Sequence, residues 1–193
     1  APAKDEVPFI FDAATSTIAT NKIRLAQRLG VQLAPGWVAD KNGSPVMENF
    51  DLKSSNDPDE ERLLQLPLGA TRELGSHKGY SLGVVVDILG SILNGNLAGP
   101  LSNNVLHQNH FVAAYSVEAF IDIDVFKELM DKYLKSLREL PTAPGHERVL
   151  YAGLPEHEES IERLEGGIPL HPEVISWFEN ICSELKIDFD IIK

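Results

Sequence analysis

The sequence predicts an α/β fold built in layers, and three observations carry that expectation. Short runs rich in β-branched and aromatic residues alternate with stretches of helical periodicity. Gly and Pro divide the chain into compact units, with no internal repeat and no low-complexity tract. Over 193 positions, 43% apolar and 24% charged residues match a globular chain able to bury roughly 70% of its unfolded surface. Interleaved strands and helices favour layers over a bundle or a sandwich. Against the roughly 150 residues of a common domain, the length fits one domain over 1–193, with a core over about 1–150 and a helical segment over about 151–193.

The first element is a strand at Val7-Pro8-Phe9-Ile10-Phe11, followed by a turn of small residues at Asp12-Ala13-Ala14-Thr15-Ser16. A helix follows, with Thr15 or Ser16 as N-cap, Ile18, Ile23, Ala26 and Leu29 facing inward, and Gly30 as its stop. Pro35-Gly36 and Lys41-Asn42-Gly43-Ser44-Pro45 carry turn chemistry around the short run Trp37-Val38-Ala39. The tract Asp57-Pro58-Asp59-Glu60-Glu61 reads as a solvated acidic loop and lacks calcium-loop spacing. A polar segment over 70–78 leads into an apolar stretch over 79–93, read as a buried core helix. Strand signals resume over 111–123. An amphipathic helix capped by Asp124 comes next, its core stripe formed by Phe126, Leu129, Met130, Tyr133, Leu134 and Leu137. A short strand at Val149-Leu150-Tyr151, an acidic helix over 155–164 stopped by Gly166-Gly167, and a last helix over 172–185 complete the chain.

Acidic residues outnumber basic ones 29 to 17, a net charge of −12. Such a chain repels phosphate backbones and anionic membranes unless positive groups are gathered locally, so neither nucleic acid nor membrane is an expected partner. The apolar stretch over 80–101 is broken by Asp87, Asn94, Asn96 and several glycines, which disqualifies it as a spanning helix. The single cysteine, Cys182, has no intrachain partner, and without a secretory leader the expected compartment is the reducing cytoplasm.

Common motifs are absent: no Gly-x-Gly-x-x-Gly, Walker sequence, Gly-x-Ser-x-Gly elbow, His-Glu-x-x-His or paired-cysteine site occurs. That removes Rossmann, P-loop, hydrolase-elbow and zincin readings. His107 and His110 lack a third ligand at suggestive spacing, so no metal is expected there.

Gly75-Ser76-His77-Lys78-Gly79-Tyr80 is the most informative segment. A Ser at a helix entrance, flanking glycines and a Lys in the first turn bring backbone N–H groups, a helix dipole and a full positive charge to one point. That point suits a phosphate or carboxylate, although a surface lysine beside a plain Ser cap fits the same residues. In Asp12-Ala13-Ala14-Thr15-Ser16, small side chains admit a ligand to the backbone; an ordinary capped helix accounts for it as well. Pro144-Gly145-His146-Glu147-Arg148 offers both charges to a polar ligand and carries little information alone.

Taken in order, these segments resemble the malate/L-lactate dehydrogenase family that is not built on a Rossmann fold and includes sulfolactate and ureidoglycolate dehydrogenases. The likeness runs along nearly the whole chain. It includes Phe11-Asp12-Ala13-Ala14-Thr15-Ser16, Pro35-Gly36-Trp37, Leu66-Pro67-Leu68-Gly69, His77-Lys78-Gly79-Tyr80, Val86-Asp87-Ile88-Leu89, Gly145-His146-Glu147-Arg148-Val149 and Gly167-Ile168-Pro169-Leu170. The resemblance implies a three-layer α/β/α fold with a mixed, largely antiparallel sheet, and hydride transfer between NAD or NADP and a 2-hydroxy acid or its keto form. It implies cofactor contacts from Asp12, Ala13, Ala14, Thr15 and Ser16, from His77 and Lys78, and from Gly145, His146, Glu147 and Arg148. Lys78 and the helix N-termini suit the pyrophosphate, and Asp12 or Glu147 suits ribose hydroxyls. The sequence departs from the family pattern at Ser81 and Asn21, where glycine is usual.

Ala1-Pro2-Ala3-Lys4 resembles a point midway through the family's sequence, so the expectation is a C-terminal portion without the family's Ser-His-Gly segment, catalytic histidine and substrate-binding arginine. No catalytic residue is assigned. Hydride transfer to a keto acid needs a proton donor and a cation for the carboxylate. The spacing of His77, His107, His110, His146, His157 and His171 selects none as donor, and Lys22, near the first cofactor turn, is the candidate for the carboxylate. The resemblance also implies a homodimer. Three readings follow: an NAD(P)-dependent 2-hydroxy acid oxidoreductase, a truncated cofactor-binding or assembly module with exposed apolar surface, and an acidic scaffold.

Overall fold

The structure, a computed structural model, describes residues 1–52, 63–102 and 108–190. The tract from Asp57 to Glu61 and His107 lie outside the described residues. The chain forms two compact units, Asp12–Tyr115 and a second composed of Ala1–Phe11 with Ser116–Lys193.

In the first unit, α1 (Thr20–Leu29) ends at Gly30, whose left-handed φ of 66° lets its amide reach the carbonyls of Ala26 and Gln27. Its N-cap is Ala19, not Thr15 or Ser16. The Ser16 hydroxyl is spent elsewhere, Oγ donating to the Ile18 carbonyl at 2.7 Å, and the neighbouring Thr17 Oγ1 donates to that of Pro67 at 2.7 Å. Residues 15–18 pair with 66–68 first, which delays the helix to Thr20. Ile18 is buried just ahead of it, and Ala26 is buried on it, whereas Leu29 is exposed, contrary to its expected inward position.

Strand β1 (Val38–Ala39) pairs antiparallel with β2 (Leu64–Gln65), Val38 opposite Gln65 and Ala39 opposite Leu64. Single bridges join Ser16 to Pro67, Leu33 to Phe50 and Ala39 to Pro45. Around this ladder, Ala26, Leu33 and Val38 form a core with Ile23, Trp37 and Phe50, while Ala39, Leu66 and Ala70 form a smaller cluster.

Helix α2 (Ser76–Gly90) starts three residues before the expected position, because Gly75 at φ 94° makes the entry turn. Among the described residues it is not buried. Leu82, Val84, Val85, Val86 and Ile88 are exposed, and only Gly79 and Gly90 are buried. The helix packs where side chains are missing: a Cβ on Gly79 would lie 2.4 Å from the backbone N and O of Leu68. Backbone thus rests directly on the helix.

The second unit centres on α3 (Ile123–Arg138). Its N-cap is Asp122 rather than Asp124, since the Asp122 carboxylate accepts from the amides of Asp124 at 2.9 Å and Val125 at 3.2 Å. Asp124 instead lies in the first turn, where its charge favours the helix dipole. Leu134 is fully buried with Tyr151 and Leu154, and Val7, Phe9, Met130 and Leu137 pack around them. Leu129 and Tyr133 are exposed, so the expected stripe is narrower than its periodicity implied. Helices α4 (Leu154–Gly166) and α5 (Pro172–Leu185) follow. The α5 N-cap is His171, whose Nδ1 accepts from the Glu173 amide.

The expected strands over 7–11, 111–123 and 149–151 do not form ladders. Residues 117–119 take a 3-10 turn and α3 begins at Ile123. The first and last of these segments meet through single bonds, Ile10 N–H to the Ala152 carbonyl at 3.0 Å and Tyr151 O–H to that of Val7 at 2.8 Å. Pro8 has no N–H to donate, and Gly153 at φ 101° turns the chain away two residues after Tyr151. Strand-forming residues make a ladder only where a neighbouring edge accepts their amides. Helix and strand are therefore mixed, and the sheet among the described residues is the two-residue ladder.

An electrostatic clasp secures the start of the second unit. Asp131 on α3 accepts from the consecutive amides of Lys4, Asp5 and Glu6 at 2.9–3.1 Å. Desolvation pushes the Asp131 carboxyl upward, but these three amides and the Lys4 charge outweigh it and hold the pKa below its ordinary value.

Candidate functional site

The first unit brings two of the three expected cofactor segments together. The strip over 66–68 lies between them. On one side, Thr17 N–H donates to the Leu66 carbonyl at 2.8 Å and Leu68 N–H to the Thr15 carbonyl at 2.9 Å. On the other, the strip lies against Gly79, while Gly83 faces Thr15, a built Cβ there standing 3.6 Å from Thr15 Oγ1. Gly75, Gly79 and Gly83 recur every four residues along one side of α2. That periodicity is a sequence signal for close backbone approach.

Two open grooves border this stack. One, of about 610 Å3, is lined by Pro67, Arg72, Ser76, His77 and Tyr80. The other, of about 550 Å3, is lined by residues that include Thr15, Ser16, Gln65, Gly83 and Asp87. They share Pro67 and Tyr80. Their polar character differs: among the described residues no carboxylate lines the first, and one carboxylate, Asp87, lines the second.

In the first groove the Arg72 guanidinium, the Ser76 hydroxyl and the His77 imidazole have no protein partner among the described residues. Lys78 makes no ion pair among them either, and its side chain folds back over Gly75, where a built Cβ would lie 3.6–3.9 Å from Cδ, Cε and Nζ. The helix opening itself is less open than expected. Ser76 N–H donates to the Thr71 carbonyl at 2.8 Å and Lys78 N–H to that of Gly75 at 2.9 Å, leaving the His77 amide of the first three without an acceptor among the described residues. The turn over 71–75 hands its carbonyls to the helix start, so positive side chains contribute more here than amides do.

Asp12, Ala13 and Ala14 are exposed, and Thr15 and Ser16 half-buried in the second groove. Lys22 places its ammonium over the Trp37 ring, 5.2 Å from the centroid, a contact worth about 0.5–1 kcal/mol at an exposed site. Gln65 is held by both ends of its amide, donating to the Ile18 carbonyl at 3.0 Å and accepting from Thr20 Oγ1 at 3.3 Å.

Gly145, His146, Glu147 and Arg148 belong to the second unit and are exposed. Gly145 adopts φ 84°, and Arg148 forms a two-pronged pair with Glu158 of α4, at 2.7 Å for one of the prongs. The guanidinium holds the Glu158 carboxyl below its ordinary range. His110, His146 and His157 are exposed. Sequence reasoning passed over Arg72 and Asp87 as site residues. Asp87 had a signal, being the lone charge in an apolar run; Arg72 had none, because only folding sets it beside Ser76 and His77.

The stack and its grooves belong to a mixed helix-and-strand protein, with Arg72 and His77 on the wall of one groove and Asp87 on that of the other. The chain belongs to the malate/L-lactate dehydrogenase family, whose sequence model matches residues 1–179. It is 30% identical over 195 residues to a malate dehydrogenase of Pyrococcus abyssi, covering 97% of this chain and 51% of that protein. It is 28% identical over 189 residues to an L-lactate dehydrogenase of Cupriavidus necator, covering 93% and 49%. The crystal structure of malate dehydrogenase from Entamoeba histolytica matches with a TM-score of 0.79 and 26% identity, over 98% of this chain and 54% of that one. The chain thus spans about half the length of the curated relatives it matches. No helix among the described residues is long and apolar enough to cross a membrane.

Proposed function

We propose that this chain is the cofactor-binding portion of an NAD(P)-dependent oxidoreductase that interconverts a malate- or lactate-like 2-hydroxy acid and its 2-keto acid. The observation that carries this reading is the pair of adjoining grooves with contrasting polarity. A dinucleotide has the matching distribution, with phosphates at its centre and ribose diols and rings toward its ends. Lys78, with the His77 amide, suits the diphosphate. Asp87 suits a ribose diol, and Tyr80 with Pro67 offers faces for a base. Thr15 and Ser16 border the same groove, and Asp12, Ala13, Ala14, Gly145, His146, Glu147 and Arg148 complete the proposed cofactor contacts by family likeness.

The bound nicotinamide would supply the hydride chemistry. This chain's residues bind and orient it, and Lys22 is the proposed partner of the substrate carboxylate. The family likeness further supports a three-layer α/β/α arrangement, in which the segments over 7–11, 111–115 and 149–151 find strand neighbours, and a homodimer in the cytoplasm.

A second reading, an assembly module without chemistry of its own, is favoured by the exposed apolar side chains of α2. The occupant that best fits that face is the half of the family's length that this chain does not span, ahead of a second copy.

Binding of NAD and NADP, followed by Trp37 and Trp177 fluorescence and by melting temperature, tests the cofactor reading. Nucleotide is expected to raise Tm, and Lys78→Glu to weaken affinity about tenfold or more. Absence of any nucleotide effect on the wild-type chain would overturn it. Turnover of malate or lactate by the purified chain would exclude the second reading.

A further inference from the structure

We infer that the nucleotide taken at this site carries a 2′-phosphate, so that NADP is bound in preference to NAD. The inference rests on the cofactor reading above and adds the identity of the nucleotide to it.

The argument begins with charge. Acidic residues outnumber basic ones by twelve in this chain, yet among the described residues the groove formed by Pro67, Arg72, Ser76, His77 and Tyr80 has no carboxylate in its lining. An unmodified adenosine ribose presents two hydroxyl donors, and sites built for it supply a carboxylate to accept them. Here the wall presents donors instead: a guanidinium, a hydroxyl and an imidazole, none engaged with a protein group among the described residues. Two ribose hydroxyls would leave such a wall largely unsatisfied. A phosphate monoester would engage it, because a guanidinium pairs two oxygens of a phosphate at once and the Ser hydroxyl donates to a third.

The diphosphate does not account for Arg72. Lys78 is not part of this lining, and its side chain lies back over Gly75 at the opening of α2. The two cations therefore occupy separate places, one at the helix opening and one on the groove wall. A dinucleotide with a single diphosphate uses the first; a second phosphate gives the second its ligand. Asp87 lines the other groove, where it suits the unphosphorylated ribose.

The test is titration of the full chain with NAD and NADP in parallel, wild type against Arg72→Gln, Arg72→Lys and Lys78→Gln, with circular dichroism as a check of folding. The inference expects NADP to bind at least about tenfold more tightly than NAD. Arg72→Gln is expected to erase that advantage by weakening NADP far more than NAD, Arg72→Lys to restore part of it, and Lys78→Gln to weaken both nucleotides alike. Equal or tighter binding of NAD, or an NADP advantage that survives Arg72→Gln, would overturn the inference and leave the cofactor reading standing. Should neither nucleotide bind, both fall together.

Discussion

Helices α2 and α3 differ by one residue in length, 15 against 16, yet they hold their surroundings by opposite means. Apolar residues on α3 recur at three and four, so the helix has one greasy side, and that side closes over Leu134 with Tyr151 and Leu154 beneath it. On α2 they are spread all round, and the helix makes its closest contact through Gly79, where a Cβ would strike the Leu68 backbone. Periodicity names the face to be buried. Uniform apolarity says only that burial is wanted, and inside this chain α2's contact is chosen by the absence of side chains.

The largest effect expected from this contrast is at α3. Leu134→Ala removes the fully buried centre of the second unit and is expected to cost about 2–5 kcal/mol by chemical denaturation. A loss under about 1 kcal/mol would mean that the unit is held elsewhere. On α2, Gly79→Ala sets two effects against each other. Alanine favours a helix by up to about 1 kcal/mol, while overpacking against Leu68 costs about 1–3 kcal/mol. Net destabilisation and weakened nucleotide binding are expected; a more stable variant would refute the close backbone contact.

A third effect depends on pH. The Asp131 pKa is depressed in the folded chain, so its contribution to stability is complete well above the unfolded value of about 3.9 and is lost as pH falls through the lower native value. Melting of the wild type should fall more steeply below about pH 5 than that of Asp131→Asn. Parallel curves would remove the clasp from the account. The smallest effect belongs to the exposed side of α2: Val85→Ser is expected to change stability by no more than about 0.5 kcal/mol while reducing self-association seen by light scattering. A large loss of stability would place Val85 in a core.

Much of this was legible in the residues. Gly30 ends α1, α5 spans Pro172–Leu185 as its periodicity and proline suggest, and the ordered tetrapeptides point to the family that the comparisons establish. Helix stops and caps are local events, decided by a φ value or one side chain reaching one amide, although Asp122 displaced Asp124 because both are able to cap. Strands were overread. Residues 7–11 and 149–151 have the composition of strands, but a ladder also requires a partner edge, which composition does not contain. Within the site, Ser76, His77 and Lys78 were visible as a motif, whereas Arg72 became part of it only through the turn over 71–75.

Sequence alone determined the helices with a one-sided pattern, the family, and the excess negative charge that makes any uncommitted cation conspicuous. Tertiary structure decided which apolar surfaces are covered, where Arg72 and Lys78 come to lie, and that among the described residues one groove is lined without acid while its neighbour holds Asp87. The reason is range: caps and periodicity act across a few residues, but coverage and groove polarity depend on groups far apart in the chain, and only the folded backbone sets their distances.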